Sequence, residues 1–457
     1  MQKLWINDNG FYKKVAKIAI PIALQGLITQ GVNMMDTIMV GAVGETQLSA
    51  VSLANQFINI FHIFCMGIGM GASVLVARYY GMKDKPALKK TVAIMLRLCL
   101  VMAVLFCVAT VLCPRLIMQI YTNDEAIIAY GIRYLEYSVV SYFLLGLSLT
   151  STIVLRNVGQ VQIPLYTSIA AFFVNVGANY VFIFGKCGAP AMDVAGAALG
   201  TLVARIFEFA VICGYLLFKD QKIAFRIKDL FRPVGSLWRE YIRISIPVLI
   251  SDGILALGNN SVAMVIGRLG ESFVAANAVT TVAQQLSSVM IQGFSQAGSI
   301  VTGYTLGEGD REKAYRQGYA FLGLGVVFGL AAAGIISLIS SPMIGAYDLS
   351  AETQSIAREL MWSIRIIIVF QATNSIMTKG VLRGGGDTKV LMLADNIFLW
   401  VASVPLGVVA GLILHLPAFW IYFSLKIDQV LKAVWCLFRL QSGKWIKKIR
   451  SEQEIKV

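Results

Sequence analysis

Charged side chains are scarce in this sequence: Asp, Glu, Lys and Arg together make up 14% of its 457 residues. A soluble globular domain carries about 25% charged residues. Hydrophobic residues reach 57%, and the mean hydropathy is +0.72. This balance excludes a soluble protein with an oversized core. The apolar runs are long enough for bilayer spans, which need about 20 apolar residues each.

Metal-ligand and nucleotide-binding patterns are missing as well. The sequence has two histidines, His62 and His415, and its seven cysteines form no CxxC pair. We therefore expect the cysteines to be small apolar residues, six of them in or beside apolar runs and Cys187 in a loop. The glycine clusters at 67–71 and 384–386 follow no predicted strand and lack the lysine of a phosphate-binding loop. The sequence predicts no enzyme, no cofactor and no ATP-binding module, so any pumping must use an ion gradient or a partner.

The apolar runs predict an all-α polytopic membrane protein with twelve spans. Barrel strands would be shorter and would alternate in polarity, whereas helices satisfy their backbone groups in lipid. The first run has full span length and no small-residue cleavage site, so no cleavable signal peptide is predicted. The predicted spans are 17–41, 51–77, 91–112, 130–154, 163–184, 193–218, 241–266, 275–304, 317–340, 357–381, 390–413 and 418–438.

The net charge of +14 is unevenly distributed between the two sets of loops. Most Lys and Arg residues fall in the termini and in every second loop, while the other loops contain only Arg115, Lys186 and Arg268. Cytoplasmic loops of membrane proteins are rich in Lys and Arg. We therefore expect a multi-pass protein of the plasma (inner) membrane with both termini in the cytoplasm. The basic charge is explained by this sidedness, and no nucleic-acid partner is predicted.

The two halves of the sequence resemble each other at a shift of 226 residues. Pro21 then falls on Pro247, and Asp84 falls on Asp310. Each half has six predicted spans, so both enter the membrane in the same direction and are expected to form two lobes related by a pseudo-twofold axis along the membrane normal. The predicted parts are an N-lobe at 1–218, a cytoplasmic linker at 219–240, a C-lobe at 241–438 and a basic cytoplasmic tail at 439–457. A channel shares this plan, but transport by alternating access is its commoner use.

Asp36, in the first span, is the principal candidate for a functional residue. An acid near a span centre costs about 2.5–3.5 kcal/mol on insertion, so it needs a polar cavity, a bound cation or a proton. Because a proton and a cation compete for one carboxylate, Asp36 is a candidate ion-coupling site. Asn175 and Asn179 share one face of the fifth span, and Ala197 and Thr201 share one face of the sixth. The alternatives are an acid without a role at the membrane interface, amides that pack helices, and a threonine bonded to its own backbone.

Other polar and sulfur-containing side chains in the spans are candidates either for a substrate pocket or for ordinary helix packing. Asp428 and Lys432, and likewise Arg205 and Glu208, are spaced for ion pairs within one helix. Asp252, Asp395 and Asp428 are expected to pair or to line a cavity. The pocket candidates are Met34, Gln56, Met66, Asn259, Gln284 and Asp252.

Four motifs together resemble the MATE (multidrug and toxic compound extrusion) family. They are the stretch from Pro21 to Gln56, with Met35-Asp36-Thr-Ile-Met-Val-Gly41 at its centre, and three shorter motifs nearer the C-terminus. Those three are Leu155-Arg156-Asn-Val-Gly159, Leu382-Arg383-Gly-Gly-Gly-Asp387-Thr388 and Phe438-Arg439-Leu-Gln-Ser-Gly-Lys-Trp445. The resemblance covers essentially the whole chain, including the twelve-span plan.

The resemblance implies an antiporter driven by Na⁺ or H⁺ that exports amphipathic, often cationic and aromatic compounds. It also implies a cation site formed by the side chains of Asp36, Asn175, Asn179 and Thr201 and the backbone carbonyl of Ala197. The span-one proline that the family links to helix bending corresponds to Pro21.

This sequence departs from the family pattern at two positions. Asn179 stands where the family often has an aspartate, so the implied site has one carboxylate fewer. In one branch of the family, an acid of the seventh span takes part in coupling. Leu255 occupies that place here, and Asp252 lies outside the register. We therefore expect the coupling site in the N-lobe.

Two other functions remain open from the sequence. A flippase for lipid-linked precursors, from the related superfamily, would have a strongly cationic central cavity and usually extra spans. A membrane-embedded enzyme or receptor would need convergent catalytic or ligand-binding groups. We expect a monomer that carries a small-molecule substrate and uses Na⁺ or H⁺ as its coupling ion.

Overall fold

The computed structural model describes residues 9–186, 188–346 and 349–449. Cys187, the first eight residues and the end of the basic tail lie outside this description. The described residues form α-helices joined by short loops, with four π-helical segments and no strand.

Six spans form the first half of the chain. Each predicted range lies within an observed helical segment, so the predicted spans are confirmed and most of the helices extend several residues beyond them. Span 4 bends by 58° between its two helices. The spans are Asn9–Gly41 (span 1), Glu45–Gly81 (span 2), Lys85–Leu112 (span 3), Glu125–Ser138 with Ser141–Asn157 (span 4), Gln162–Phe184 (span 5) and Asp193–Gly214 continued by the π-helical Tyr215–Lys219 (span 6).

The second half contains six further spans. Its last three spans are interrupted by π-helical segments or by a break. The spans are Leu237–Gly267 (span 7), Glu271–Gly307 (span 8), Arg311–Ala346 (span 9), Ala351–Ser375 with the π-helical Ile376–Leu382 (span 10), the α- and π-helical series from Thr388 to Ile413 (span 11) and Ala418–Leu425 with Ile427–Gln441 (span 12). Two short helices, Pro114–Gln119 and Ile227–Leu230, lie in the connections.

Some helices begin at a polar residue that caps them outside the apolar run. Before span 3, the carboxylate of Asp84 accepts a hydrogen bond of 3.1 Å from the backbone N–H of Ala87, which satisfies one of the free donors of the first turn. Nine of the described helices are long and apolar enough to cross a membrane, and the two helices of the bent span 4 together make a tenth. Spans 8 and 12 do not pass this test, since glutamines and serines interrupt span 8 and a break at Lys426 divides span 12.

The chain divides into two compact units. The N-unit comprises residues 24–76 and 84–242, and the C-unit comprises the described residues of 1–23, 77–83 and 243–451. One core of the N-unit packs Phe61, Cys65, Cys99 and Tyr142 together. Of the described cysteines, all except Cys113 are buried as expected. The lobe, linker and tail boundaries given by the sequence stay predictions.

Within the C-unit, the described part of the basic tail is packed against the protein. The Trp445 side chain is fully buried, and a Cβ atom on Gly385 would lie 2.4 Å from its ring. The N–H of Lys447 donates to the Gly385 carbonyl (2.9 Å), and Arg439 forms a 2.7 Å ion pair with Asp387. Gly385 and Gly386 therefore lie close against the tail, whereas Gly384 packs against Ser299 of span 8.

Candidate functional site: a carboxylate held by amides

Asp36 is held by side-chain amides from span 5. Asn179 donates from Nδ2 to Asp36 Oδ1 at 2.5 Å, and from the same nitrogen to Asn175 Oδ1 at 3.3 Å. Asn175 and Asn179 are 2% and 1% exposed. Within the described chain, no Lys, Arg or His lies within salt-bridge distance of Asp36. The predicted meeting of these three residues is therefore present, and the carboxylate is stabilised by neutral donors.

Close packing between spans 5 and 6 fixes the position of Asn179. A Cβ atom on Gly200 would lie 2.0 Å from Asn179 Oδ1. A glycine is thus required beside the amide, because any other residue at this position would push the amide away. Sequence reasoning missed Gly200, since its role depends on a contact between two helices.

One oxygen of this cluster lacks a partner. Asn179 Oδ1 is buried and accepts no hydrogen bond from any described residue. An unsatisfied buried acceptor costs about 1–3 kcal/mol. Rotating the Asn179 amide by 180° about its last side-chain bond would direct Oδ1 toward Asp36. A cation between them would then be bound by Asn179 Oδ1 and by the Asp36 carboxylate. Carboxylate and amide oxygens are the ligands that hard cations prefer, so the cluster fits a bound cation.

The two predicted span-six ligands occupy different positions. Thr201 lines the same cavity as Asp36. Ala197, one turn earlier, is buried in the core of the N-unit at 4% exposure. The described residues include no group of three or more His, Cys, Asp or Glu side chains that could hold a metal ion.

A cavity of about 990 Å³ opens beside Asp36 within the N-unit. Its volume is near the upper end of that typical for drug-sized ligand sites, about 300–1,000 Å³. Gln56 lines it as predicted, and so do Asn55 and Asn59, which belong to the polar side chains that the sequence left open between a pocket and helix packing. The polar lining that was not predicted includes Asn33, His62, Tyr134 and Arg205.

A signal for part of this lining was present in span 2. Asn55, Asn59 and His62 recur at helical spacing and so share one face. Tyr134 of span 4 joins them by donating a 3.2 Å hydrogen bond to Asn55 Oδ1. Span 4 contributes lining residues on both sides of its 58° bend, which the sequence did not predict.

Two further pocket candidates of the N-unit lie away from this cavity. Met34 is 66% exposed and Met66 is half-buried, and neither lines the cavity. Pro21 belongs to the C-unit part of span 1, and the helix continues through it without interruption.

The remaining pocket candidates belong to the C-unit. Gln284 donates to Gln371 Oε1 at 2.7 Å, and Asn259 is exposed. Asp252 lies 3.6 Å from an Nη of Arg383. For Gln284 and Asp252, the structure thus shows polar contacts between or along helices.

A buried ion triad lies in the C-unit. Lys432 Nζ lies 3.3 Å from Asp395 and 3.1 Å from Asp428. Asp428 also accepts from Ser403 (2.9 Å) and Gln429 (2.7 Å). The predicted pairing of Asp428 with Lys432 is confirmed, as is that of Arg205 with Glu208, at 2.7 Å. The sequence did not predict that Asp395 shares the same lysine.

The two Leu-Arg motifs make similar contacts in their own units. Arg156, at the end of span 4, donates to Gln25 Oε1 of span 1 at 2.5 Å. Arg383, just after span 10, reaches Asp252 of span 7. Each motif therefore ties the end of one span to the first span of its half, which accounts for the repeated arginine.

Comparison with known proteins agrees with this architecture. The family model MatE matches residues 21–181 and 247–409, which correspond to the two halves. A probable multidrug resistance protein NorM from Thermotoga maritima is 27% identical over 442 residues, covering 95% of this chain and 93% of that protein.

Solved structures share the fold. A transporter of the MOP superfamily from Pyrococcus furiosus has a TM-score of 0.83 at 20% identity and covers 94% of this chain and 96% of its own. An outward-facing multidrug resistance MATE transporter has a TM-score of 0.81 at 20% identity, with the same coverage.

The fold is that of an all-α polytopic transporter with twelve transmembrane helices, six in each half of the chain. The chain belongs to the MatE family, as the motifs in its sequence had indicated.

Proposed function

We propose that this protein is a cation-coupled antiporter that exports amphipathic compounds, with Asp36 as its coupling residue. The supporting observation is the environment of Asp36, a carboxylate within a membrane span that is held by amides, lacks a described basic partner and lies on a cavity. Such a group changes its charge when it binds a proton or cation. The names of relatives as multidrug resistance proteins support drugs and toxins as substrates.

The geometry suggests how ion binding would alter the site. In the arrangement described, the Asn179 amide donates to Asp36 Oδ1. A cation entering beside Asp36 would favour the rotated amide, with Asn175 and Thr201 as further ligands. A helix that continues through Pro21 lacks one backbone hydrogen bond and bends more easily. Coupling requires that the two conformations of the protein differ in cation affinity.

The remaining parts of this proposal concern its setting. We expect a monomer in the bacterial plasma membrane with cytoplasmic termini, transporting small molecules without chemical conversion. The alternative flippase would have a strongly cationic cavity, but the cavity of the N-unit carries Asp36 as well as Arg205. This mixture of charges favours the antiporter.

Proteoliposomes with Na⁺ and pH gradients imposed separately test the proposal. We expect the unmodified protein to move a fluorescent amphipathic dye when one of these gradients is imposed, and Asp36→Asn to reduce this movement to background. Asp252→Asn is the matched control, since it removes an intramembrane acid that is paired with Arg383. Full gradient-driven transport by Asp36→Asn would contradict the proposal.

A further inference from the structure

Arg205 is a basic side chain on the wall of the N-unit cavity. It follows Thr201 by one helical turn on span 6, and both residues line the cavity together with Asp36. Its side chain is 31% exposed. A guanidinium within a span is costly, and the transport scheme above gives this residue no role.

The guanidinium retains most of its hydrogen-bonding capacity. Its only hydrogen bond to a described residue runs from Nη1 to Glu208 Oε2 at 2.7 Å. Arginine has five N–H donors in a planar fork. Glu208 therefore holds the group in place, while the other donors are left for a ligand in the cavity.

The cavity thus presents two opposite charges separately. The charge of Arg205 acts on Asp36 through space, but their charged atoms do not come within the 4.0 Å of a salt bridge. His62 lines the same cavity and has Arg205 and Glu208 as its charged neighbours. A purely cationic molecule would meet repulsion at Arg205, whereas a molecule with both charges would be complementary to both groups.

We propose that Arg205 binds the anionic group of a zwitterionic, amphipathic substrate in the N-unit cavity. The planar fork of arginine matches a carboxylate or another oxyanion through two parallel hydrogen bonds. The amide side chains of Asn55, Gln56 and Asn59 line the same cavity and offer neutral polar contacts to such a substrate. The inference rests on the proposed export function and specifies its substrate class, which the family resemblance alone describes as often cationic.

Two dyes that differ only in the acid test the assignment. Tetramethylrhodamine carries a carboxylate and a delocalised positive charge, and its methyl ester carries the positive charge alone. Binding of each dye to the purified protein is measured by fluorescence anisotropy in lipid nanodiscs. We expect Arg205→Gln to weaken binding of the acid about tenfold or more, or 1.4 kcal/mol, and to leave binding of the ester unchanged or tighter.

Two further variants test the same assignment without relying on Arg205→Gln. Arg205→Lys keeps the charge without the fork and should lose only part of the affinity for the acid. Glu208→Gln releases the guanidinium from its partner and should increase the affinity for the acid severalfold. These two variants carry the test if Arg205→Gln does not fold.

The outcomes separate this inference from the proposed function. Equal effects of the Arg205 variants on both dyes, or no effect on either, would overturn the assignment, even if Asp36→Asn still abolished gradient-driven transport. If Arg205→Gln discriminates between the dyes while Asp36→Asn still transports, then the substrate site stands and the proposed coupling fails.

Discussion

The N-unit and the C-unit hold their buried acids in different ways. In the N-unit, Asp36 accepts from the amide of Asn179. In the C-unit, Asp395 and Asp428 share Lys432 at 3.3 and 3.1 Å. Both arrangements place carboxylates in a membrane, where an unpaired charge is costly.

The difference determines which acid is suited to exchange an ion. Protonating Asp395 or Asp428 would weaken its attraction to the buried ammonium of Lys432, so the ion triad resists a change of charge. Among the described residues Asp36 has no salt-bridge partner, so a bound proton or cation neutralises it without breaking an ion pair. The C-unit triad therefore suits helix packing, and the amide-held carboxylate of the N-unit suits coupling.

Removing Lys432, which Asp395 and Asp428 share, should change stability more than any other substitution considered below. We expect Lys432→Met to lower the free energy of unfolding by about 3–5 kcal/mol, because it leaves two buried carboxylates without a counter-charge. Thermal unfolding in detergent measures this loss. Asp36→Asn should cost far less stability, since it removes a buried charge whose partners are neutral. Equal losses would show that the two environments do not differ in this way.

The stability lost in Lys432→Met should be recovered when the two carboxylates of the triad are removed as well. Replacing Asp395 and Asp428 by leucine in the Lys432→Met background removes all three charges together. Replacing a whole buried ion cluster by hydrophobic residues of similar volume is often close to neutral for stability. We expect this triple variant to recover most of the stability, which would assign the loss in the single variant to unpaired charge.

Gly200→Ala should damage the N-unit site through a single methyl group. The new Cβ would lie 2.0 Å from Asn179 Oδ1, so the amide must move away from its present position. We expect the affinity for the coupling cation to fall about tenfold or more, with a loss of stability of about 1–3 kcal/mol from overpacking. The cation dependence of dye transport measures the first effect.

Gly177→Ala is the matched control for this change. Gly177 lies on span 5 between Asn175 and Asn179, and an added Cβ would meet nothing within 4 Å. It should leave transport intact and slightly stabilise the helix. If Gly200→Ala also transported normally, the position of the Asn179 amide would be irrelevant to coupling.

Asn179→Asp sharpens the comparison by adding a carboxylate to the N-unit site. Two touching carboxylates cannot both remain ionised without a proton or cation between them. We expect the apparent affinity for Na⁺ to rise about tenfold, measured as the Na⁺ dependence of transport at fixed pH. Asn396→Asp, which adds a carboxylate to the C-unit instead, should not change it. An unchanged Na⁺ dependence in Asn179→Asp would argue against a cation beside Asp36.

The sequence was sufficient for the helices, which follow from spacing along single helices, and together with the family resemblance it was sufficient for the Asp36 cluster. Asn175 and Asn179 are one turn apart, and the family resemblance placed Asp36 opposite them. The bend in span 4 and the π-helical segments had no signal in hydropathy. The contacts of Gly200 with Asn179 and of Asp395 with Lys432 depend on how helices pack together, which hydropathy and spacing do not specify.

The linker provides a third environment, in which an acid is paired outside the spans. Asp229 forms a 3.0 Å ion pair with Lys89 of span 3, and Arg97 donates to the carbonyls of Leu230 and Arg232. Burial raises the pKa of Asp229. The hydrogen bonds from Lys89 and from the backbone of Arg226, with the charges of Lys89 and Arg232, outweigh burial and hold the pKa below its usual 3.8.

Asp229→Asn should therefore cause the smallest loss of stability among these substitutions, and the size of this loss should depend on pH. A carboxyl group whose pKa is lowered by folding stabilises the protein above its unfolded pKa, and this contribution is lost as the pH falls through the folded value. We expect a loss of about 1 kcal/mol at pH 7, measured by thermal unfolding, that disappears in acid. Glu125→Gln is the control, because its pair with Arg115 is exposed on both sides and should contribute nothing measurable. If the loss in Asp229→Asn persisted unchanged in acid, its cause would be packing, and the ionic tie between linker and span 3 would be refuted.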